Sequence, residues 1–168
     1  MTQTVSRLIA TVFYVGYLKP APGTWGSFAA IPMAWVLHAL GGFPLLVAAT
    51  FVVFLIGWWA TAQMTRGMET HDPSEVVVDE VIGQWIALWP LSAGLWHAGV
   101  DPWIFPYPGW IGAFLAFRLF DIWKPGPVGY FDRGNSAFTV MFDDAVAGVL
   151  AALCVGVAAY ASHGMLGL

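Results

Sequence analysis

The run "LLVAATFVVFLIGWWATA", Leu45 to Ala62, constrains this chain more than any other feature. It carries no charge and comes close to the ~20 mostly apolar residues that a bilayer-crossing helix needs. Ala145 to Ser162, "AVAGVLAALCVGVAAYAS", has the same character. The whole chain agrees: 59% of its residues are hydrophobic, 10% are charged, and the mean hydropathy is +0.73. A soluble domain carries roughly 25% charged residues, so so few charges cannot cover a water-facing surface. A bilayer is the solvent that suits the chain, and its ten tryptophans fit the gathering of that residue at membrane interfaces.

Three weaker apolar runs complete the pattern. Phe28 to Leu40 is short and holds Pro32; Val81 to Trp96 is interrupted by Pro90; Trp103 to Trp123 holds Pro106, Pro108, Arg118 and Asp121. Each either spans or dips partway as a broken helix buried in protein. Basic residues sort the connections, because cytoplasmic loops are enriched in Lys and Arg. Arg7 and Lys19 precede the first run, Arg66 follows the second, and Lys124 and Arg133 lie between the fourth and fifth. The connections Gly41 to Pro44 and Ala93 to Pro102 contain neither residue. The expected fold is therefore all-α: a polytopic membrane helical bundle of about five apolar segments, in one domain over 1–168, with the N-terminus inside. In that topology Lys19 to Ser27, Asp79/Glu80, the "FDIWKP" stretch and Asp143/Asp144 all meet at the cytoplasmic face.

Other classes fall away. A net charge of −4 without a basic run gives no grip on nucleic acid. The single cysteine, Cys154, excludes an internal disulfide and a multi-cysteine metal centre, and reads as a small buried hydrophobe. The N-terminus lacks a small-residue cleavage site after a clean apolar core, so no removed signal peptide is expected. Oligomeric state is not legible.

Charge is concentrated. Thirteen charged side chains fall into four groups, "RGMETHDPSEVVVDE", "FRLFDIWK", "FDR" and "FDD". Ionisable groups at membrane depth are costly and mark function by default. In "HDPSE", Asp72, Pro73 and Glu75 read as an N-cap, a first helical residue and a capping box, while His71 reads as a loop residue. A helix starting at Pro73 would put Glu75 and Asp79 on one face and turn Glu80 about 100° away, so the adjacent acids could serve two partners. Gly83 would leave room beside Asp79 for a close approach. Arg118, Asp121 and Lys124 recur at helical spacing. They form either a salt-bridged stripe or a phosphate-facing set, with Arg giving a two-pronged grip and Lys a point charge. Asp143 and Asp144 open the last apolar helix; one acid suffices for a cap, and the second points to a site. "KPAPGTWGS" is a Pro/Gly turn that could offer backbone N–H groups and the hydroxyls of Thr24 and Ser27 to an anion. His38, His97 and His163 have no partner in register.

These parts lack a phosphate-cradling Gly-rich loop with Lys, a Ser nucleophile elbow and a Cys-phosphatase motif. Many carboxylates and a few cations remain. Carboxylate oxygens suit a hard divalent ion such as Mg²⁺, which bridges readily to phosphate, and a phosphorylated lipid would keep its tails in the bilayer while its headgroup meets the acids. The competing reading is a cation transporter or channel subunit with membrane-embedded carboxylates. A non-catalytic scaffold with interfacial ion pairs is a third.

Five blocks in order, "PAPGTWGS", "DPSEVVVDEVIG", "FRLFDIWKPGPV", "FDR" and "MFDDAVAG", resemble the phosphatidylglycerophosphatase A family of bacterial membrane enzymes. The resemblance implies Mg²⁺-dependent removal of the terminal phosphate of phosphatidylglycerophosphate, leaving phosphatidylglycerol, at the bacterial cytoplasmic (inner) membrane with the active site facing the cytoplasm. It implies an acidic catalytic or metal-binding set of Asp79, Glu80, Asp143 and Asp144, with Asp121 a further catalytic candidate. Arg118, Lys124 and Arg133, with Thr24 and Ser27, would face phosphate. The chain departs from the family between "DR" and "DD", where members often carry a glycine-rich turn and this chain has only Gly134.

Overall fold

Two glycines decide how the longest apolar stretch is used. In the computed structural model, which describes residues 2–68 and 73–165, helix α2 runs Pro22–Met64 but breaks at Gly41 and Gly42. Gly42 has φ +64° and ψ −159°, a backbone state open essentially to glycine, and a Cβ there would strike the Trp96 indole. The break turns α2 into a hairpin of two arms, 22–40 and 43–64. Their contacts with α3, Val78–His97, establish the turn. Ser27, Ala30 and His38 meet Glu80, Trp85 and Ser92 in ascending order. Thr50 and Gly57 meet Trp89 and Val78 in descending order. The first two apolar runs of the sequence are thus antiparallel neighbours.

The remaining elements are α1 (Thr2–Ala10), a 3₁₀ turn over Val15–Tyr17, α4 (Tyr107–Trp123), α5 (Pro127–Asp132) and α6 (Ala137–Met165). Among the described residues there is no strand. Helix α3 is the axis of the bundle. Its residues from Val78 to Leu88 are all buried, and it packs against both arms of α2, α4 and α6. A helix apolar all round belongs at such a centre. Gly83 sets the closest approach: a Cβ there would meet Phe117 and lie 2.6 Å from the Asp144 carbonyl oxygen, and Gly148 faces the Gly83 backbone from α6. The room that Gly83 leaves is taken by the close approach of α4 and α6.

The outer helices invert the usual order of a soluble fold. Helix α2 and residues 137–162 of α6 are long and apolar enough to cross a membrane, yet only 17% of the most apolar window of each is buried. Phe51, Leu55, Leu153 and Val157 all point outward. Apolar surface on this scale marks contact with lipid or another apolar partner. The chain is all-helical with two candidate membrane-crossing helices.

Three local expectations change. Helix α3 begins at Val78, not Pro73, because Val76 N–H closes a turn onto the Pro73 carbonyl at 2.9 Å and Val77 N–H is taken by the Ala10 carbonyl at 2.9 Å. Glu75 is therefore outside the helix and shares no face with Asp79; His71 and Asp72 lie outside the described residues. Helix α6 begins at Ala137, where Ser136 and Thr139 exchange backbone and side-chain hydrogen bonds as a cap. Asp143 and Asp144 thus lie inside the helix rather than capping it. Helix α3 also continues through Pro90 to His97.

Candidate active site

The first turn of α3 carries Asp79 and Glu80 at the end of the bundle where α2 and α4 also present their polar termini. Carboxylates there are favoured by the helix dipole, and Asp79 Oδ1 accepts the Glu80 N–H at 2.9 Å. Asp143 repeats the arrangement on α6, its Oδ1 accepting the Asp144 N–H at 3.0 Å. The two acidic pairs, 64 residues apart in the chain, face the same cavity of about 340 Å³. Asp121 enters from α4, so five carboxylates line it, against the two cations Arg118 and Lys124.

Arg118 organises the centre. Its Nη1 donates to Glu80 Oε2, to Asp121 Oδ2 at 2.9 Å and to Ser27 Oγ at 3.3 Å. Ser27 in turn donates to Glu80 Oε2 at 2.9 Å and to the Gly23 carbonyl at 2.9 Å. The Arg118 Nε, by contrast, is buried and has no hydrogen-bond partner among the described residues. An orphaned donor of this kind is costly unless an acceptor arrives, and a phosphate oxygen is an acceptor of the right type.

Lys124 stands at the rim. It follows the last residue of α4 in a left-handed conformation, φ +50°, and lines the same cavity as Arg118 and Asp121. Its ammonium contacts Asp132 and lies 3.5 Å from Asp143 Oδ2. Partial burial works against the ammonium charge, but the Asp132 bond and the charges of Asp143, Asp132 and Asp121 outweigh it and hold the Lys124 pKa above the ordinary lysine value. The Arg118–Asp121 pair is the ion pair expected of a stripe, and Lys124, just past the helix end, lines the same cavity with its ammonium on Asp132 and near Asp143.

One oxygen from each of Glu80, Asp121 and Asp144 can be chosen so that all lie within 4.8 Å of one another. Three hard oxygen donors at that separation, in a cavity with a surplus of negative charge, fit a divalent cation. The cluster differs from the metal set expected of the sequence, Asp79, Glu80, Asp143 and Asp144: Asp121 joins it, while Asp79 and Asp143 line the cavity around it.

The phosphate-facing candidates separate. Thr24, Arg118 and Lys124 line the cavity. Ser27 is fully buried and occupied with Glu80, Arg118 and Gly23, so its hydroxyl braces the acid rather than facing a ligand. Arg133 is exposed at the end of α5 and does not line the cavity. The residue that sequence reasoning passed over is Gly23. It lines the cavity one turn before Ser27, and a Cβ there would collide with Glu80 Oε1 and come 3.4 Å from Arg118 Nη1. Its only sequence signal was its place in "APGT", which any turn could share.

Residues 8–159 match the family model described as Phosphatidylglycerophosphatase A. The Phosphatidylglycerophosphatase A of Haemophilus influenzae is 35% identical over 150 residues, covering 89% of this chain and 85% of that protein. The protein of the same name from Escherichia coli is 36% identical over 148 residues, 87% of this chain and 78% of that one. A Bacteroides thetaiotaomicron protein, provisionally named a phosphatidylinositol-3-phosphatase, is 37% identical over 155 residues, 90% and 91% of the two chains. No solved structure matches.

Proposed function

The chain belongs to the phosphatidylglycerophosphatase A family of phosphatases, and we propose that it hydrolyses the terminal phosphate of phosphatidylglycerophosphate at the cytoplasmic face of a bacterial inner membrane, with Mg²⁺ as cofactor. The observation that carries this reading is the ring of five carboxylates and two cations around one cavity at one end of an otherwise apolar bundle. The basic-residue pattern supports a cytoplasmic orientation for that end, with about five membrane segments.

In this reading the lipid tails lie along the apolar flanks of α2, α4 and α6 and the terminal phosphate enters the cavity. Glu80, Asp121 and Asp144 would hold Mg²⁺, which when bound polarises a phosphoryl oxygen and orients a water. Arg118, through its free Nε, and Lys124 bind the phosphate oxygens and offset the charge that spreads over them as the ester bond breaks. A neighbouring carboxylate, Asp79 or Asp143, accepts the proton of the attacking water. The water oxygen ends on inorganic phosphate, and the lipid glycerol oxygen leaves as an alcohol by taking up the proton that the carboxylate accepted. Ser27 and Arg118 hold Glu80 in place throughout. A transporter would spread its acids along a path through the bilayer; the gathering of acids at one end disfavours that reading.

Purified protein in detergent should release inorganic phosphate from phosphatidylglycerophosphate, stop with EDTA and recover with added Mg²⁺. Release that EDTA leaves untouched would remove the metal from the scheme. The Bacteroides relative's name favours one second substrate, so phosphatidylinositol 3-phosphate belongs in the same assay; faster release from it would reassign the headgroup.

A further inference from the structure

A second cavity, of about 350 Å³, lies away from the acids and is lined by Gln3, Thr4, Arg7, Tyr14 and Tyr17. Its surroundings are unusual for a protein surface. Val12, Phe13 and Tyr14 all adopt left-handed backbone, φ +49°, +53° and +70°, which non-glycine residues rarely do in succession. The turn buries Val12 and throws Phe13 outward, leaving it 72% exposed, with Tyr14, Tyr17 and Leu18 exposed beside it. Arg7 is exposed, and among the described residues it makes no ion pair. The segment is fixed in place: the Ala10 carbonyl accepts the Val77 N–H at 2.9 Å, two residues before Asp79, and Gly16 packs against the Glu75 backbone.

We propose that this N-terminal cavity binds the headgroup phosphate of an anionic phospholipid, so that residues 2–18 seat the acid end of the bundle in the lipid interface. Arg7 supplies the cation and the planar donor fork that phosphate takes. Gln3, Thr4 and the two tyrosine hydroxyls offer further donors. Exposed Phe13 and Leu18 then enter the acyl boundary, and the tyrosines sit at headgroup depth. A lipid rather than a soluble anion is indicated because the exposed apolar side chains of Phe13 and Leu18 lie in the same short segment as the tyrosines that line the cavity. The inference does not depend on the reaction at the acids, since neither Arg7 nor its neighbours line that cavity.

The test uses the full chain in detergent, exchanged into phosphatidylserine or phosphatidylcholine and examined by native mass spectrometry. Phosphatidylserine is chosen because it is neither substrate nor product of the proposed reaction. Wild type should retain it over phosphatidylcholine, Arg7→Gln should lose about fivefold in that retention, and Arg7→Lys should keep most of it. Phosphate release by Arg7→Gln at saturating substrate in micelles should be unchanged, which also shows that the variant folds. Equal retention by wild type and Arg7→Gln would overturn the proposal. So would displacement of phosphatidylserine by inorganic phosphate, which would mark a free-phosphate site instead.

Discussion

Near one end of the bundle His38 and Ser92 share a buried hydrogen bond of 2.7 Å, with the Phe105 ring against the imidazole. About 18 Å earlier along α3, Glu80 shares one arginine with Asp121 while Asp144 offers an oxygen within 4.8 Å of both. Both regions bury polar groups, but they balance them differently. In the His38–Ser92 pair one ring nitrogen and one hydroxyl are matched to each other. Among the described residues the acid end holds five carboxylates against two cations and leaves an arginine donor unpartnered. Buried polar groups that serve only the fold are satisfied; a surplus held at a cost to stability is the mark of a site that waits for a ligand.

The sharpest way to break this contrast is to neutralise one acid. Asp144→Asn should lower turnover by at least about a hundredfold without lowering the melting temperature of the metal-free protein, because it relieves repulsion among carboxylates. Normal activity, or a fall in activity explained by unfolding, would make the acids structural. Gly23→Ala should act next most strongly. Its methyl would displace Glu80 from Ser27 and Arg118, and we expect a loss of about tenfold in kcat with little change in thermal stability, read by phosphate release beside a melting curve. At the opposite end Ser92→Ala should leave activity per folded molecule unchanged and cost about 1–3 kcal/mol of stability, because the His38 nitrogen loses its partner. If Ser92→Ala instead cut turnover while the fold held, the line between the two ends would fail.

Much of the acid end was readable beforehand. Asp79/Glu80 and Asp143/Asp144 stood out because carboxylates in apolar runs are expensive, and the structure gathers both pairs around one cavity. What stayed hidden was local. The α3 boundary moved because Val77 N–H is satisfied by the Ala10 carbonyl, a long-range bond that no cap pattern records. Ser27 looked like a ligand group and proved to be a brace. Lys124 pairs with Asp132 and Asp143, partners from later elements that helical spacing within α4 cannot reveal.

By itself, then, the sequence determined the apolar character of this chain, its helical class and the acidic groups it carries. Each follows from residue type and near-neighbour spacing: apolar runs without charge, and acids where burial penalises them. Only the tertiary structure decided that Asp121 rather than Asp79 or Asp143 completes the tightest oxygen cluster, that Gly23 and Ser27 shape Glu80, and that Gly83 and Gly148 let α3 and α6 close on each other. Those outcomes depend on which side chains meet when separate helices pack, and contact between distant residues leaves no periodicity along the chain.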